Sequence, residues 1–503
     1  MPFIFYAMIL LLCSALLLAF ALQHAWSARY GKRAFALPLL GGCALLIVLS
    51  GCGGRATTNP AAITPMTLSP GAGSPTASSG SKASSTPLSN WTTYHHDNSR
   101  TGYLPSGTDA QQLTQAWKAQ LDGAVYAEPL VVGNRILVVT EGDSLYSLDA
   151  KTGKIQWRTH VGTPVPQSTL PCGDIDPLGI TGTPIYDPSI GLVFAIAEVS
   201  GPAHILVGVD ITNGKLRVRR SADVAGMDAR AYQQRAALAL SNGMVYFAYG
   251  GLAGDCSDYI GRVLASRTDG RGALYSYQIP TAREGGIWGP SGPTVDDTGN
   301  IYVAVGNGAS TSGNWDHSDS VLRLSPTLKL EDGFAPTQWP QDNSDDKDLG
   351  SMGPTPLPGG LIFIEGKSGF AYLLHANALG GVGGQIETLN VCQGSAMGGT
   401  ATIGLEIFVP CSDGIRQVQV SSDAHMTMGW RAPSHVTMPP VIEGHTLYSL
   451  ASGGTLYALN VDTGAVRTQL NLNTTLPPFA TPTVSGSHVF VGTTSGVTAV
   501  TVS

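Results

Sequence analysis

The chain has 503 residues, of which 43% are hydrophobic and only 13% charged, with 63 glycines and a net charge of −7. Enough apolar surface is present to exclude bulk disorder, and the acidic balance excludes a basic nucleic-acid binder, as the composition excludes collagen and heptad coiled coil. Many short strands joined by tight turns suit such a glycine-rich, charge-poor chain better than long salt-bridged helices.

Residues 4–22 are uncharged, mostly apolar and long enough to span a bilayer. Arg29, Lys32 and Arg33 follow, and a second apolar run covers residues 35–52. A basic stretch, an apolar run and small residues at its end make a secretory signal. Leu49-Ser50-Gly51-Cys52 resembles the bacterial lipoprotein lipobox, which implies lipidation of Cys52, cleavage before it, and an exported chain anchored to a membrane. The competing reading is a plain transmembrane anchor with a coincidental cysteine. Residues 4–22 stay open between a true transmembrane helix and a start codon placed too far upstream. The expected organisation is therefore an apolar signal segment over 1–52 and a linker over 53–90. That linker is Ser, Thr, Pro, Ala and Gly with only Arg55 and Lys82 charged, so it has no core to build and is expected to be disordered.

From about residue 124 one pattern recurs: a small residue and a Pro, a short β run, a turn, a second β run, a polar loop, a third β run and a D-x-x-T-G turn. The clearest copy runs from Glu128 to Trp157, and seven more follow, at about 48 residues each. The eighth stops after three strands, while LTQAWKAQL (113–121) is a spare strand ahead of the first. Closing a ring with that strand removes exposed edges. The expectation is all-β: an eight-bladed β-propeller over residues 91–503, closed by an N-terminal strand. Seven blades is the alternative if the weak third or sixth unit is misread.

The turn Leu148-Asp149-Ala150-Lys151-Thr152-Gly153-Lys154-Ile155-Gln156-Trp157 resembles the repeat of pyrroloquinoline-quinone (PQQ)-type propellers, and WTTYHHDNSRTGY (91–103) is similar to the segment that opens such domains. Gly supplies a positive φ and the Trp packs between blades, so the motif speaks for architecture. The resemblance implies one of two roles. Quinoprotein dehydrogenases hold PQQ and Ca2+ in the central funnel, with an Asp base and often a vicinal disulfide. Scaffold propellers, such as the lipoprotein of the outer-membrane β-barrel assembly machinery, bind no cofactor. This chain has neither a Cys-Cys pair nor a haem motif, so no cofactor is assigned and no catalytic residue is carried over. The expected function is a lipid-anchored, extracytoplasmic module that binds a protein or envelope polymer. The alternative is a PQQ-dependent dehydrogenase acting on an alcohol or sugar.

Four cysteines remain after the apolar segments and the lipobox are set aside. Cys172 and Cys256 fall in loops on the same side of neighbouring blades, and Cys392 and Cys411 flank the inner strands of the sixth, so the pairs Cys172–Cys256 and Cys392–Cys411 are expected over buried free thiols. Propeller loops that enter inner strands, or join second and third strands, gather around the channel. That rule collects Glu141, Asp174, Asp176, Glu198, Gln234, Arg235, Asp255, Arg283, Glu284, Trp288, Asn307, Asp316, Asp319, Lys367 and Asp413 as a candidate ligand face. The bland reading is that these groups satisfy one another and buttress the blades. Asp342, Ser344, Asp346 and Asp348 alternate along the chain as hard-oxygen Ca2+ ligands can, although the Gly and Glu of an EF-hand are missing. No other metal site is assigned, since the eleven histidines are scattered.

Overall fold

The computed structural model describes residues 88–503. The apolar runs, Cys52 and the linker up to residue 87 lie outside the described residues. Among the described residues no helix is long and apolar enough to cross a membrane.

Eight antiparallel sheets form the eight blades of a propeller. Blade 1 consists of Leu130–Val132, Arg135–Thr140, Ser144–Asp149 and Ile155–His160, paired in that order. Its first strand is wholly buried and its fourth alternates between exposed and half-buried. Burial thus falls from the inner strands to the solvent-facing outer ones, as a radial sheet requires. Blades 2 to 7 repeat the plan over residues 185–221, 232–278, 294–335, 355–390, 401–431 and 441–471. The third and sixth units are full blades, so seven blades is ruled out. The third has a split inner strand, with Tyr232–Gln233 and Ala239–Ser241 both pairing Met244–Gly251.

Blade 8 takes three strands from the C-terminus and its outer strand, Leu113–Gln120, from the N-terminus, where it pairs antiparallel with Gly496–Val502. Neither terminal partner has another sheet neighbour on that side, so the clasp closes the ring. The Trp of an outer strand then docks on the turn of the next blade. Trp117 donates from Nε1 to the Ala150 carbonyl (3.0 Å), Trp157 to Ile211 (2.8 Å) and Trp430 to Val461 (2.8 Å). Each indole lies against the turn glycine, and at Gly153 (φ +70°) and Gly464 (φ +67°) a Cβ would collide with the ring. Those positions demand glycine twice over, once for the backbone and once for the approach.

The lead-in segment does more than open the domain. It threads the inner strands of the ring. Trp91 exchanges backbone hydrogen bonds with Val131 of blade 1, and Thr92 accepts from Tyr186 of blade 2. Asn98 accepts from Val295 of blade 4, Thr101 from Thr402 of blade 6 and Gly102 from Ile442 of blade 7. Tyr103–Leu104 lies parallel to Val441–Glu443, and Ser89 bonds Ser485 of blade 8. A segment that touches blades on all sides of a ring must fill its centre, so residues 89–104 plug the channel. Arg100 pins the plug. It is fully buried and donates to Thr93 Oγ1, Tyr94 O, Asp97 O, Leu238 O and Pro293 O.

Both expected disulfides are present, Cys172–Cys256 with Cα atoms 6.2 Å apart and Cys392–Cys411 at 5.3 Å. Two disulfides place the folding of this chain in an oxidising compartment outside the cytoplasm.

Candidate functional site at the channel mouth

The buried acids of the loop face staple blade to blade. Glu141, at the end of the second strand of blade 1, accepts from Gly179 N in the loop entering blade 2 (2.7 Å). Glu198 does the same one blade on, from Gln234 N (2.7 Å), and Asp319 accepts from Leu349 N ahead of blade 5 (3.0 Å). Burial pushes the Glu141 carboxyl up to about 8 and Asp143 likewise, the latter raised further by Glu141 and Glu198. Burial also holds Asp319 and Glu365 well above the usual carboxylate range. Burial alone would lower His204, but Glu198, with Asp223 bonded to its Nδ1 (2.7 Å), raises it to about 9. Glu141, Glu198 and Asp319 thus hold loops together, whereas both carboxylate oxygens of Asp143 and of Glu365 are buried without a hydrogen-bond partner among the described residues.

Other expected site residues separate into local knots. Asp176 caps Gln167 N (3.1 Å), and Asp174 is exposed. Arg283 donates to the Asp255 carbonyl (2.6 Å) and lies 3.5 Å from Glu284 and 3.6 Å from Asp258. Asp316 binds Thr281 (2.7 Å), and Asp413 pairs with Arg416. The expected Ca2+ loop is a short helix, Trp339–Asp345, ended by Asp346 in the left-handed conformation (φ 55°). Helical winding sends the alternating carboxylates in different directions. Asp342 is buried with its carboxyl raised to about 6 by burial, while Asp346 and Asp348 converge on Lys367 Nζ (2.8 and 2.5 Å). Asn307 joins them, donating from Nδ2 to Asp346 (2.9 Å) and from its backbone to Asp348 (2.7 Å). An ammonium thus stands where two of the carboxylates meet.

What remains crosses the axis. Phe479, in the loop entering blade 8, sits at φ +60° and brings its ring 4.7 Å from the Arg235 guanidinium of the blade 3 loop and 6.4 Å from Trp288 of the blade 4 loop. Blades 4 and 8 face each other across the ring, so this contact spans the mouth above the plug. Tyr126 also lies against Arg235 (6.0 Å), and Lys367 lies 5.4 Å over Trp288. Arg235, Trp288 and Lys367 thus come together with Tyr126 and Phe479, two rings that a search confined to polar loop residues passes over. The signal for Phe479 was present: Pro477-Pro478-Phe479 occupies a loop entering an inner strand.

A quinone with Ca2+ needs an open flat slot and a set of hard ligands. Here Phe479 occupies the axis, tilted 51° to Trp288, and Lys367 covers the Trp288 ring. Among the described residues the group of three acidic, His or Cys side chains close enough to share an ion is Glu365 with Cys392 and Cys411, whose sulfurs are tied up in a disulfide. The residues of the mouth do not fit that pair of groups.

Residues 106–307 match the family model described as outer membrane protein assembly factor BamB, a PQQ-type repeat. Among solved structures the chain is similar to quinohaemoprotein alcohol dehydrogenase ADHIIG of Pseudomonas putida HK5 (TM-score 0.62, 13% identity, 82% of this chain and 80% of that one). It is also similar to a europium-containing methanol dehydrogenase (0.63, 16%, 82% and 98%) and to BamB of Moraxella catarrhalis (0.54, 14%, 78% and 100%). At such identities the likeness is one of fold. No curated protein matches the sequence.

Proposed function

We propose, for a chain whose blades are those of the PQQ-like repeat propellers, that it is a lipid-anchored binding and scaffold module of the cell envelope, engaging a protein or envelope partner through its loop face. One observation carries this reading: the plug and Phe479 fill the axis where a dehydrogenase of this fold would seat its cofactor. Glu141, Glu198 and Asp348 are committed to interblade staples and an ion pair rather than to one reacting centre. Anchoring rests on Cys52 and its lipobox.

The alternative, a quinone-dependent dehydrogenase, draws on the likeness to the alcohol and methanol dehydrogenases. One experiment separates the two. The full chain is purified and incubated with PQQ and Ca2+, and dye-linked oxidation of alcohols and sugars is measured. No stoichiometric chromophore and no dye reduction is the expected result; a bound quinone with turnover refutes the scaffold reading.

A further inference from the structure

Arg235 differs from the other cations of the mouth. Lys367 is neutralised by Asp346 and Asp348, and Arg283 is engaged by Asp255, Asp258 and Glu284. Arg235 makes no ion pair among the described residues. Its one hydrogen bond runs from a terminal nitrogen to the Pro478 carbonyl at 3.4 Å, at the long limit for such a bond. Four of its five N–H donors are unspent. Yet the guanidinium is held in place, against the Phe479 and Tyr126 rings. The Phe479 ring is aimed by two preceding prolines and by a left-handed backbone conformation that a bulky residue adopts only under the constraint of its surroundings. A planar fork that is positioned, partly desolvated and unpaired is built to take an oxyanion bidentately.

The surroundings narrow the class. Asp174 lies near enough to Arg235 to act on its charge, and Asp346 is 76% exposed beside Lys367. They repel a dianionic phosphate or a dense polyanion, but accept hydrogen bonds from hydroxyls. Phe479 offers an apolar ring beside the fork, 6.4 Å from the Trp288 ring that Lys367 covers. We propose that the Arg235 cradle binds the carboxylate of an acidic sugar, a uronic acid residue of an envelope glycan, with the sugar ring against Phe479 and its hydroxyls toward Asp174 and Asp346. This rests on the binding-module reading and names the ligand of that same face.

The test is calorimetric titration of the full chain in detergent with glucuronate and a short oligouronate, against glucuronate methyl ester and inorganic phosphate. Binding at Kd of about 0.1–10 mM is expected, with the ester at least about tenfold weaker. Phosphate should not compete. Arg235→Gln should abolish the difference between acid and ester, with Arg235→Lys retaining part of it and Phe479→Ala weakening the binding of both. The ester control needs no variant, so the result stands even if Arg235→Gln folds poorly. Equal binding of acid and ester, or tighter binding of phosphate, overturns the proposal. So does an envelope partner captured undiminished by Arg235→Gln while no uronate binds, an outcome that leaves the binding-module reading standing.

Discussion

Replacing Arg100 by methionine tests whether the lead-in segment is a structural plug. The Arg100 head group is fully buried and gives hydrogen bonds to Leu238 O (3.0 Å) and Pro293 O (2.9 Å) on blades 3 and 4, and to Thr93 Oγ1 (2.7 Å) and Tyr94 O (3.1 Å) within the plug. Burial lowers it to about 10, so it is charged at neutral pH, and those dipoles together with Asp97 and Glu128 compensate it. Methionine fills much of the volume but leaves the Pro293 and Tyr94 carbonyls without that donor. Leu238 O keeps its bond from Thr93 Oγ1 (3.1 Å). Each of the two orphaned carbonyls costs about 1–3 kcal/mol, offset in part because the guanidinium is no longer desolvated, so a net loss of about 1–5 kcal/mol is expected. With unfolding entropy of about 2.1 cal/mol/K per residue over roughly 400 residues, that lowers Tm by about 1–6 °C. Hydrogen exchange locates the effect. The amides of Tyr186, Val295, Thr402 and Ile442, which donate to plug carbonyls, should lose protection first. An exposed control, Arg230→Met, should leave Tm unchanged, since Arg230 pairs only with the neighbouring Asp228 at the surface. If Arg100→Met moves Tm by no more than that control, or those four amides exchange as in the parent, the plug is not holding the ring.

Stability should also depend on pH. Glu141 and Asp143 have folded values raised to about 8, so the fold binds their protons more tightly than the unfolded chain does. Their contribution is complete below pH 4 and lost as pH rises through 8; His204, raised to about 9, contributes below pH 6.5 and loses it through 9. Tm should therefore fall from about pH 5 to 9, and Glu141→Gln should flatten the slope; a Tm that rises over that interval contradicts the assignment. The two disulfides should reduce in order. Cys256 is exposed, whereas Cys392 and Cys411 are 2% and 0% accessible, so a mild reductant should open Cys172–Cys256 first, at a cost of about 2–4 kcal/mol. Mass mapping that finds Cys392 and Cys411 alkylated first tells against this order. Cys52→Ala should abolish labelling by a fatty-acid analogue and release the protein from membranes, and persistent labelling would exclude the lipobox.

Composition, repeat and turn chemistry carried the architecture on their own. D-x-x-T-G turns and Trp157 repeat at a blade's spacing, and a strand at 113–120 with no partner in its own unit calls for one at the other end of the chain. Periodic patterns are local, so a single chain displays them. The cysteine pairs followed, because loops on one side of adjacent blades meet, as do the two loops on one side of a single blade. The character of the mouth did not follow. Glu198 looks the same in sequence whether it greets a ligand or accepts the Gln234 amide, and only the meeting of two blades decides that it staples. Asp342 to Asp348 read as alternating ligands until a helical turn separates them and Lys367, two strands further on in the blade they lead into, neutralises two. Phe479 reaches Arg235 and Trp288 from blades remote in sequence, and the lead-in segment finds its five inner strands only once the ring has closed around it. Contacts across the axis join residues hundreds of positions apart, and no repeat of about 48 residues records which of them will face each other.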